Sequence, residues 1–496
     1  MMKVVTAKEM LRIEALAYAK GFAELDFMMN AGHAIAEKVE DYVLAQHGDK
    51  RVTLLCGKGN NAGDAFAAGC KLLAMGFDVE AIHIYPLGSC SPLCKTQYDR
   101  FHAAGGKIHH ELRFPSDGVI LDGLVGTGFR GKAEDELAEA IKAANVAGLP
   151  ILAIDIPSGV NGDTGAVESV AIRAHQTISL GLPKIGFFIG SGWNHLGELV
   201  HADFGLPNEF VEEAEAMAYL PSQDDLSALL PPVKRNRHKY EAGYVVAIGG
   251  SAGMPGAAIM ASFAALRAGA GIVRLFYPEG LESEVSSAPW EVIKEALDLN
   301  NTDRIFEETK RASAFLIGPG IGREKQIKKM VKKVLPLIKR SAVIDADALY
   351  FLAENPSWKL PPCSILTPHR KEMERLLHLK EPLEESAFHK ACQKYVEDKD
   401  TTLILKGGPS FVFQPHDAPI VIMAGDPAMA KAGTGDVLTG VLAALLAQKM
   451  RPRDAAILGA SLHGMAGEVA AFHKTTYGVV ASDLIECMPD AFAQLL

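Results

Sequence analysis

The sequence predicts an α/β protein made of two doubly wound halves, each with a parallel sheet between layers of helices. Three observations lead to this prediction. Short β-rich runs alternate with helical runs over residues 51–156, and a second alternation of the same kind begins at residue 243. Between them, residues 206–236 lose the alternation and become acidic and proline-containing, as linkers do. Because the halves share no repeated motif, we predict two different domains, residues 1–215 and 225–496.

The first half opens with two helices. Thr6 and Glu9 have the spacing of a capping box that begins a helix, and a second helix is predicted over residues 25–44. The β-rich runs that follow predict strands at residues 52–56, 79–85, 119–121 and 151–156. The runs between them, at residues 62–74 and 133–147, have the length that right-handed crossover helices need.

The second half repeats this architecture. Its β-rich runs predict strands at residues 243–249, 271–276, 314–317, 342–345, 364–366 and 402–405. Three helices are predicted to close the chain. The lysine-rich run 323–340 spaces its apolar residues on one face, which predicts a surface helix with solvated lysines and no assigned function.

Composition excludes several classes of protein. A net charge of −10 argues against a nucleic-acid partner, because phosphate neutralisation needs a basic surface. We expect no membrane partner, since the N-terminus lacks a signal-peptide core and no uninterrupted apolar run approaches the length of a span. Seven scattered cysteines fit reduced thiols in a cytoplasmic protein, and the isolated pair Cys90 and Cys94 is a poor match to a zinc site.

The most informative run of the chain is Asp426-Pro-Ala-Met-Ala-Lys-Ala-Gly-Thr-Gly-Asp436, which an apolar helical stretch follows at once. Small residues let the backbone approach a ligand closely, and the free N–H groups of a helix beginning near Asp436 bind anions. A carboxylate beside such an anion site is useful as a base that takes a proton from an attacking hydroxyl. The alternative is an ordinary N-cap at Thr434 or Asp436, which explains the aspartate but not the glycines.

In the first half, Gly57-Lys-Gly-Asn-Asn-Ala-Gly-Asp64 follows a strand and precedes a helix, where α/β sheets hold phosphates. Its spacing departs from the dinucleotide fingerprint G-x-G-x-x-G, which disfavours a dehydrogenase. Two more loops, 122–128 and 155–159, follow strands and would converge with it. Oxygens of Asn61, Asp122 and Ser158 suit an alkali or alkaline-earth cation. Taken singly, each residue is equally well explained as a turn or cap.

These first-half motifs, GKGNNAGD, DGLVGTGFRGK and DIPSG, resemble those of the NAD(P)H-hydrate epimerases over about residues 1–210. The resemblance implies a Rossmann-like, three-layer domain and a K⁺ ion held by Asn61, Asp122 and Ser158. The family usually has NNGGDG, where this chain has Ala62 and Ala65 in place of glycines. The implied substrate contacts are Asn60, Asn61, Ala62, Gly63, Asp64, Gly126, Thr127, Gly128, Phe129, Arg130, Gly131, Lys132 and Asp155.

The second half, from about residue 232, is similar to the ADP-dependent NAD(P)H-hydrate dehydratases, a family with a ribokinase-like α/β fold. The motifs that carry the resemblance are HK, GGSAGMPGAA, GPG, DADAL, TPH, KGG and GTGD, in that order. Implied hydrate contacts are Ala257, Gly320, His369 and Asp436, and implied nucleotide contacts are Lys406, Gly407, Gly408, Pro409, Ser410 and Gly435. The family's TPHPGE and GNPGM read TPHRKE and GDPAM here, which puts nucleotide affinity and donor choice in question.

The implied chemistry repairs damaged cofactors. Water added at C6 of a reduced nicotinamide gives a hydrate (NADHX or NADPHX), whose hydroxide is a poor leaving group until it is phosphorylated. Asp436 is the expected base of that phosphorylation, and Gly433 to Gly435 would stabilise the transferring group. The dehydratases act on the S form, so an epimerase completes the repair, with Asp155 as candidate acid/base or merely a substrate-orienting residue.

The expected ligands are ADP with Mg²⁺ in the second half, with ATP as the alternative donor, and K⁺ in the first half. The family also leads us to expect a homo-oligomer. The rival hypothesis is a ribokinase-like small-molecule kinase fused to a Rossmann-like ligand-binding module. The two differ in product, since a kinase accumulates a phosphorylated compound whereas the dehydratase releases phosphate together with NADH or NADPH.

Overall fold

A computed structural model of the chain describes residues 1–46 and 48–496. The chain divides into two compact units, Met2–Ala218 and Tyr219–Leu496 with Met1. Both are α/β, which confirms the predicted fold class. The ten predicted strands are all present, with ends within two residues of the prediction.

The N-terminal unit contains a seven-stranded parallel sheet of order β4-β3-β2-β5-β6-β7-β8. The seven strands of this sheet are β2 Arg51–Cys56, β3 Asp78–His83, β4 Lys107–His109, β5 Val119–Gly123, β6 Ile151–Ile154, β7 Gln176–Leu180 and β8 Glu198–Ala202, and the short strand β1 Met2–Val4 lies outside it. Its helices are α1 Ala7–Ala19, α2 Glu24–Ala45, α3 Asn60–Ala74, α4 Pro92–Ala103, α5 Asp135–Val146, α6 Trp193–Leu196 and α7 Asn208–Glu213.

The central strands β2, β5 and β6 are buried along nearly their whole length, as expected for a parallel sheet covered on both faces. The helix α3 packs on this sheet through small residues. A Cβ atom added to Gly69 would lie 2.6 Å from Leu54 Cδ1, so the glycine permits this close approach. The predicted capping box at Thr6 is half-formed, because its side chain accepts from the Glu9 N–H while Glu9 itself binds Arg12.

The sheet of the C-terminal unit has the order β9-β18-β17-β16-β15-β14-β13-β10-β11-β12. Its strands are β9 Ala218–Leu220, which spans the boundary, β10 Tyr244–Ile248, β11 Ile272–Pro278, β12 Val292–Leu297, β13 Ala314–Ile317, β14 Ser341–Ile344, β15 Ser364–Leu366, β16 Thr402–Leu405, β17 Ser410–Phe413 and β18 Ile420–Ile422. Pairing is parallel except that β17 runs antiparallel to both of its neighbours.

The helices of this unit cover its sheet. They are α8 Gln223–Ala228, α9 Pro255–Arg267, α10 Asp303–Thr309, α11 Lys325–Val334, α12 Ala346–Glu354, α13 Arg370–Leu376, α14 Glu385–Lys399, α15 Thr434–Ala447, α16 Pro452–Gly478, α17 Ala481–Glu486 and α18 Met488–Ala493. Short 3₁₀ turns across both units are Leu87–Ser89, Ile185–Phe187, Glu284–Ser287, Leu335–Leu337 and Pro427–Met429.

Two expectations need correction. Four helices rather than three close the chain, because α17 and α18 are short and meet at Cys487. The surface helix predicted over 323–340 ends at Val334, where a 3₁₀ turn with a proline follows. One described helix, α16, has the length and apolar composition of a membrane span, although it is mostly buried inside the protein.

Candidate functional site

In the N-terminal unit, loops leave the carboxyl ends of β2, β5 and β6 where the strand order reverses between β2 and β5. Diverging loops at such a point form the crevice in which α/β proteins bind ligands. A cavity of about 660 Å³ lies there. The predicted substrate-binding residues that line it are Asn60, Asn61, Asp64, Gly126, Thr127, Gly128, Phe129, Arg130 and Asp155.

The other four predicted residues lie outside this lining. Ala62 is completely buried in the core, and a Cβ atom on Gly63 would come within 2.8 Å of the Met28 side chain. Gly131 and Lys132 continue the loop beyond the cavity, with Lys132 exposed. Ala62 and Gly63 therefore lie on the side of the first turn of α3 that packs in the core, outside the lining of the cavity.

Asp155 is held by donors from two directions. Its Oδ2 accepts hydrogen bonds from the Thr127 N–H at 3.1 Å and from the Thr127 hydroxyl. Its Oδ1 accepts from Lys184 Nζ at 2.5 Å, and the Lys184 side chain is completely buried. Asp155 also has a left-handed φ of 63°, which is uncommon for a non-glycine residue and typical of functional sites.

Lys184 was not predicted as a site residue from the sequence. A lysine is almost always solvated, and nothing in its local sequence shows that this one is buried against a carboxylate. It follows β7, and its ammonium also donates to the Leu180 carbonyl at 2.8 Å. Its position in the loop after β7 could have indicated it, because this loop follows a parallel strand next to β6 in the same sheet.

The predicted cation ligands lie together beside the cavity. The Ser158 hydroxyl is 2.7 Å from Asp122 Oδ1 and 3.1 Å from the Val125 carbonyl oxygen, to which Asn61 Nδ2 also donates at 3.1 Å. Burial raises the pKa of Asp122 to about 6, although hydrogen bonds from Ser158 oppose the shift. Carboxylate, hydroxyl, amide and carbonyl oxygens are hard donors, so this set fits an alkali cation.

In the C-terminal unit, the strand order reverses between β10 and β13. The loops after these strands touch, since the Ser251 hydroxyl donates to the Gly320 carbonyl at 2.8 Å. Gly320 has a φ of 58°, and a Cβ atom added to it would lie 3.1 Å from the Ala257 Cβ. The structure thus brings Ala257 and Gly320 together at the crevice where ligands bind such sheets.

The helix that carries Asp436 begins earlier than expected. Its N-cap is Gly433 at a φ of 96°, so neither Thr434 nor Asp436 is the capping residue, and Asp436 is the third residue of the helix. The Thr434 hydroxyl instead lies 3.0 Å from the Met429 and Lys431 carbonyl oxygens, where it fastens the preceding loop. With no capping side chain, the first N–H groups of α15 remain available to an anion.

A buried ion pair lies beside Asp436. Lys406 Nζ donates to Asp345 Oδ1 at 2.9 Å, and the Thr439 hydroxyl is 2.7 Å from Asp345 Oδ2. Burial raises the pKa of Asp436 to about 7, with the Asp345 charge adding to the rise and Lys406 opposing it. Burial lowers the pKa of Lys406, but Asp345 and Glu372 outweigh this, and its pKa is raised overall.

The predicted nucleotide-binding residues form the turn between β16 and β17. Within it, the Ser410 side chain contacts both the N–H and the carbonyl of Gly407, while Gly407 and Gly408 are exposed and Pro409 is buried. A Cβ atom on Gly435 would lie 3.4 Å from Lys406 Nζ, which places the start of this turn next to the start of α15.

His369 has a structural role. It caps α13, since its ring Nδ1 accepts from the Glu372 N–H at 3.3 Å while Glu372 accepts from the His369 N–H at 2.8 Å. Its backbone also bridges to Lys406, and its half-exposed ring stays accessible. His369 therefore lies next to Lys406 in the site.

His463 is a second residue that the sequence did not reveal. Its Nε2 lies 2.8 Å from the Thr434 carbonyl oxygen, and burial lowers its pKa to about 4. A neutral ring therefore donates this hydrogen bond and holds the first turn of α15. A single histidine inside the apolar helix α16 carries no recognisable signal of this contact.

Comparison with known proteins accounts for nearly the whole chain. Residues 24–186 match the family described as YjeF-related protein N-terminus, and residues 245–490 match the family NAD(P)H-hydrate dehydratase. The bifunctional NAD(P)H-hydrate repair enzyme Nnr of Moorella thermoacetica is 32% identical over 98% of this chain and 96% of its own length. The chain belongs to the family of bifunctional NAD(P)H-hydrate repair enzymes.

Two further similarities agree with this membership of the NAD(P)H-hydrate repair family. The enzyme of the same name from Escherichia coli K12 is 34% identical over 94% of this chain and 89% of its own length. The crystal structure of a ribokinase-like superfamily protein from Enterococcus faecalis V583 has 27% identity and a TM-score of 0.51, covering 56% of this chain and 95% of that one. The prediction of a two-domain repair enzyme, with a ribokinase-like second domain, is confirmed at the level of the family.

Proposed function

We propose that the chain epimerises the R and S hydrates of NADH and NADPH in its N-terminal unit and dehydrates the S form in its C-terminal unit. Dehydration converts ADP to AMP and phosphate. The observation that carries the proposal is Asp436, a carboxyl whose pKa is raised to about 7 by burial, at the uncapped N-terminus of α15. A base that titrates at neutral pH beside an anion site fits phosphoryl transfer to a hydroxyl group.

The proposed dehydration has three steps. Asp436 takes the proton of the 6-hydroxyl as its oxygen attacks the β-phosphoryl group of ADP, and AMP leaves. The nitrogen lone pair then forms N1=C6 as the C6–O bond breaks and phosphate departs. The released phosphate or solvent takes a proton from C5, and the electron pair of that C–H bond forms C5=C6 while the N1=C6 pair returns to N1, which restores the reduced nicotinamide. The N–H groups at the start of α15 stabilise the charge of the transferring phosphoryl group, and Lys406 adds a positive charge beside it.

We propose that the turn from Lys406 to Ser410, with Gly435, holds the nucleotide and that Ala257, Gly320 and His369 contact the hydrate. Their support is proximity, because the turn and the start of α15 lie side by side. Mg²⁺ would enter with the ADP phosphates, since this ion is usually bound through substrate phosphates and a few protein oxygens. ADP is the proposed donor and ATP the alternative.

In the N-terminal unit, we propose that the 660 Å³ cavity binds the hydrate, with Asp155 exchanging a proton at the C6 oxygen. The cavity has the size of small-molecule sites. Asn61, Asp122 and Ser158 would hold K⁺ beside it, where the ion supplies positive charge near the substrate. If the site binds K⁺, KCl should stabilise the wild-type chain against thermal unfolding more than NaCl does. The Ser158→Ala variant lacks one of the oxygen ligands and should lose this difference between the two salts.

The test of the whole proposal follows the near-ultraviolet absorbance of reduced nicotinamide. Purified chain is mixed with both epimers of NADH hydrate and ADP–magnesium, beside the Asp436→Ala variant. Near-complete recovery of NADH in the wild type, absent in the variant, supports both activities. Recovery that stops at the S fraction contradicts the epimerase. No recovery with ADP or ATP, together with a stable phosphorylated product, favours the kinase joined to a ligand-binding module.

Two properties of the whole protein are also proposals. We propose a homo-oligomer, supported by exposed aromatic side chains on α16, where Phe472 and Tyr477 are 86% and 93% exposed. Light scattering of the purified chain tests this. We propose the cytoplasm as its compartment, supported by seven cysteines that are all free thiols.

A further inference from the structure

One acidic residue of the N-terminal cavity has no role in the chemistry described above. Glu14 on α1 and Asp155 after β6 line the same cavity. It is partly buried, and neither the motifs nor the converging loops pointed to it. A carboxyl group inside a ligand cavity needs an explanation, since burying it is unfavourable unless it is neutralised or paired.

Glu14 lacks the partners that usually hold a buried carboxylate. Among the residues that the structure describes, none forms a hydrogen bond that shifts the pKa of Glu14. Only burial and nearby charges shift it. Burial raises the pKa of Glu14 to about 7, with Lys184 opposing the rise. The charged or titratable groups that surround it are Tyr18 on its own helix, Glu24 on α2, Asp64 on α3, Asp155 after β6 and Lys184 after β7.

Asp155 is in the opposite situation within the same cavity. Three donor groups, the Thr127 N–H, the Thr127 hydroxyl and the Lys184 ammonium, face its two oxygens, which therefore act only as acceptors. Two carboxyl groups in one site with such different surroundings are the usual arrangement of an acid and a base. Glu14 has the surroundings of the proton donor, and Asp155 those of the proton acceptor.

The chemistry of epimerisation calls for two such groups, and this step of the argument rests on the proposed function. A hydroxyl leaves C6 from one face of the ring, and water then adds to the other face. The leaving oxygen needs a proton where it departs, and the attacking water must lose one on the opposite side. A single acid/base group on one face serves only one of these events.

We propose that Glu14 is the catalytic acid of the epimerase and acts on the face of the ring opposite Asp155. Glu14 gives its proton to the 6-hydroxyl as the C6–O bond breaks, and the N1 lone pair forms N1=C6. Water attacks C6 from the other side, Asp155 takes its proton, and the electron pair returns to N1. One water leaves and one enters, and the proton gained by Asp155 returns to Glu14 through solvent.

Asp64 and Glu24 also line the cavity, and Asp64 is a second candidate for the donor. Burial raises the pKa of Asp64 well above its usual value, with Asp155 and Glu14 adding to the shift. Asp64 is also among the residues predicted to contact the substrate, a role that Glu14 does not share. Asp64 is better suited to donate a hydrogen bond to the substrate without releasing the proton.

The test measures epimerisation alone. A pure R hydrate is incubated with the full chain without ADP, and the epimer ratio is followed by chromatography over a range of pH, with the enzyme-free rate subtracted. Glu14→Gln should lower the rate by about 10²-fold or more. The wild-type rate should fall as pH rises above about 7, where Glu14 loses its proton, and this decline should be absent in the variant. Glu14→Asp should restore part of the activity.

Two controls separate chemistry from folding. Glu37→Gln removes a carboxylate from the exposed face of α2 and should leave the rate unchanged. Glu14→Gln should unfold at a temperature no lower than the wild type at mildly alkaline pH, because burial already disfavours the charged form of Glu14 there. It should also dehydrate the S hydrate with ADP at the wild-type rate.

Each outcome decides between explanations. A Glu14→Gln variant with the wild-type rate and pH profile overturns the proposal. So does a loss of the alkaline decline in Asp64→Asn but not in Glu14→Gln, which would assign the proton to Asp64. A wild-type chain that never converts the R hydrate contradicts the epimerase function itself, and this result is distinct from an effect confined to the variants.

Discussion

At the scale of single residues, the environment of each carboxyl group decides its chemistry. Asp436 and Asp345 are both partly or fully buried in the C-terminal unit, yet only Asp345 is paired with a lysine. Lys406 pairs with Asp345 and only opposes the shift at Asp436, so burial and the Asp345 charge raise the pKa of Asp436 to about 7. Asp345 therefore prepares Asp436 for proton transfer without contacting the substrate.

The substitution Asp436→Asn should lower the rate of hydrate dehydration by about 10²-fold or more, because the amide cannot accept the proton. In the wild type, kcat/KM for the S hydrate should fall as pH drops below about 7, where Asp436 becomes protonated. Stopped-flow absorbance with ADP–magnesium measures both effects. A wild-type kcat/KM that is unchanged between mildly acid and neutral pH would show that another group is the base.

The substitution Asp345→Asn should move the acid side of that pH profile to lower pH, since it removes a like charge that raises the pKa of Asp436. Thr439→Val is the matched control, because it removes a hydrogen bond to Asp345 but no charge. Its profile should keep the wild-type midpoint. Equal shifts in both variants would show that local packing, rather than charge, sets the midpoint.

At the scale of secondary structure, the N-terminus of α15 is shaped by glycines. Gly433 has a φ of 96°, and a Cβ atom there would lie 2.7 Å from Met260 Cε of α9. Further along, a Cβ atom on Gly440 would lie only 2.0 Å from the Ala261 carbonyl oxygen, so the two helices pack backbone to backbone. This packing aims the free N–H groups of α15 at a fixed point.

The substitution Gly433→Ala should displace the free N–H groups at the start of α15. Strain of about 1–3 kcal/mol is expected for an alanine at this φ, and the added methyl group must also displace Met260. We therefore expect a lower unfolding temperature and slower dehydration, with epimerisation unchanged. Gly478→Ala is the control, since a Cβ atom there meets its nearest neighbours at 3.8 Å without strain. Dehydration at the wild-type rate in Gly433→Ala would show that this backbone conformation is dispensable.

The departure from the family's TPHPGE motif has a structural explanation at the same scale. Arg370 stands after His369, where the family's motif has a proline. Its guanidinium pairs with Glu374 and Glu385 and lies 4.4 Å from the centre of the Phe388 ring. The substitution therefore fastens α13 to α14 and leaves the His369 cap in place.

At the scale of the whole molecule, two different chemistries are assigned to separate units of one chain. Asp155→Asn should lose epimerisation and keep dehydration of the S hydrate, whereas Asp436→Asn should do the reverse. A mixture of the two variants should repair both epimers fully, because the S hydrate can diffuse from one chain to another. Absorbance of the recovered NADH measures this. A mixture that stops at the S fraction, with both single activities intact, would indicate transfer within one chain.

Much of the fold could be predicted because its signals are local. Buried parallel strands such as β13 appear as short apolar runs, and the helices between them have a regular period. Two of the strands that were missed, β4 and β12, are short or partly exposed and carry weaker patterns. The start of α15 was misplaced by two residues because a glycine at positive φ, rather than a side chain, caps it.

The class of the fold, the loops at each site and the family could all be predicted from the sequence, because glycine spacing and strand-end positions are properties of consecutive residues. The carboxyl groups with a raised pKa could not be predicted in this way, because their surroundings form only in the folded chain. Glu14 and Lys184 reach the first site from distant parts of the chain, and Asp345 and Lys406 reach the second. Since a pKa depends on burial and on neighbouring charges, it is defined only after the chain has folded.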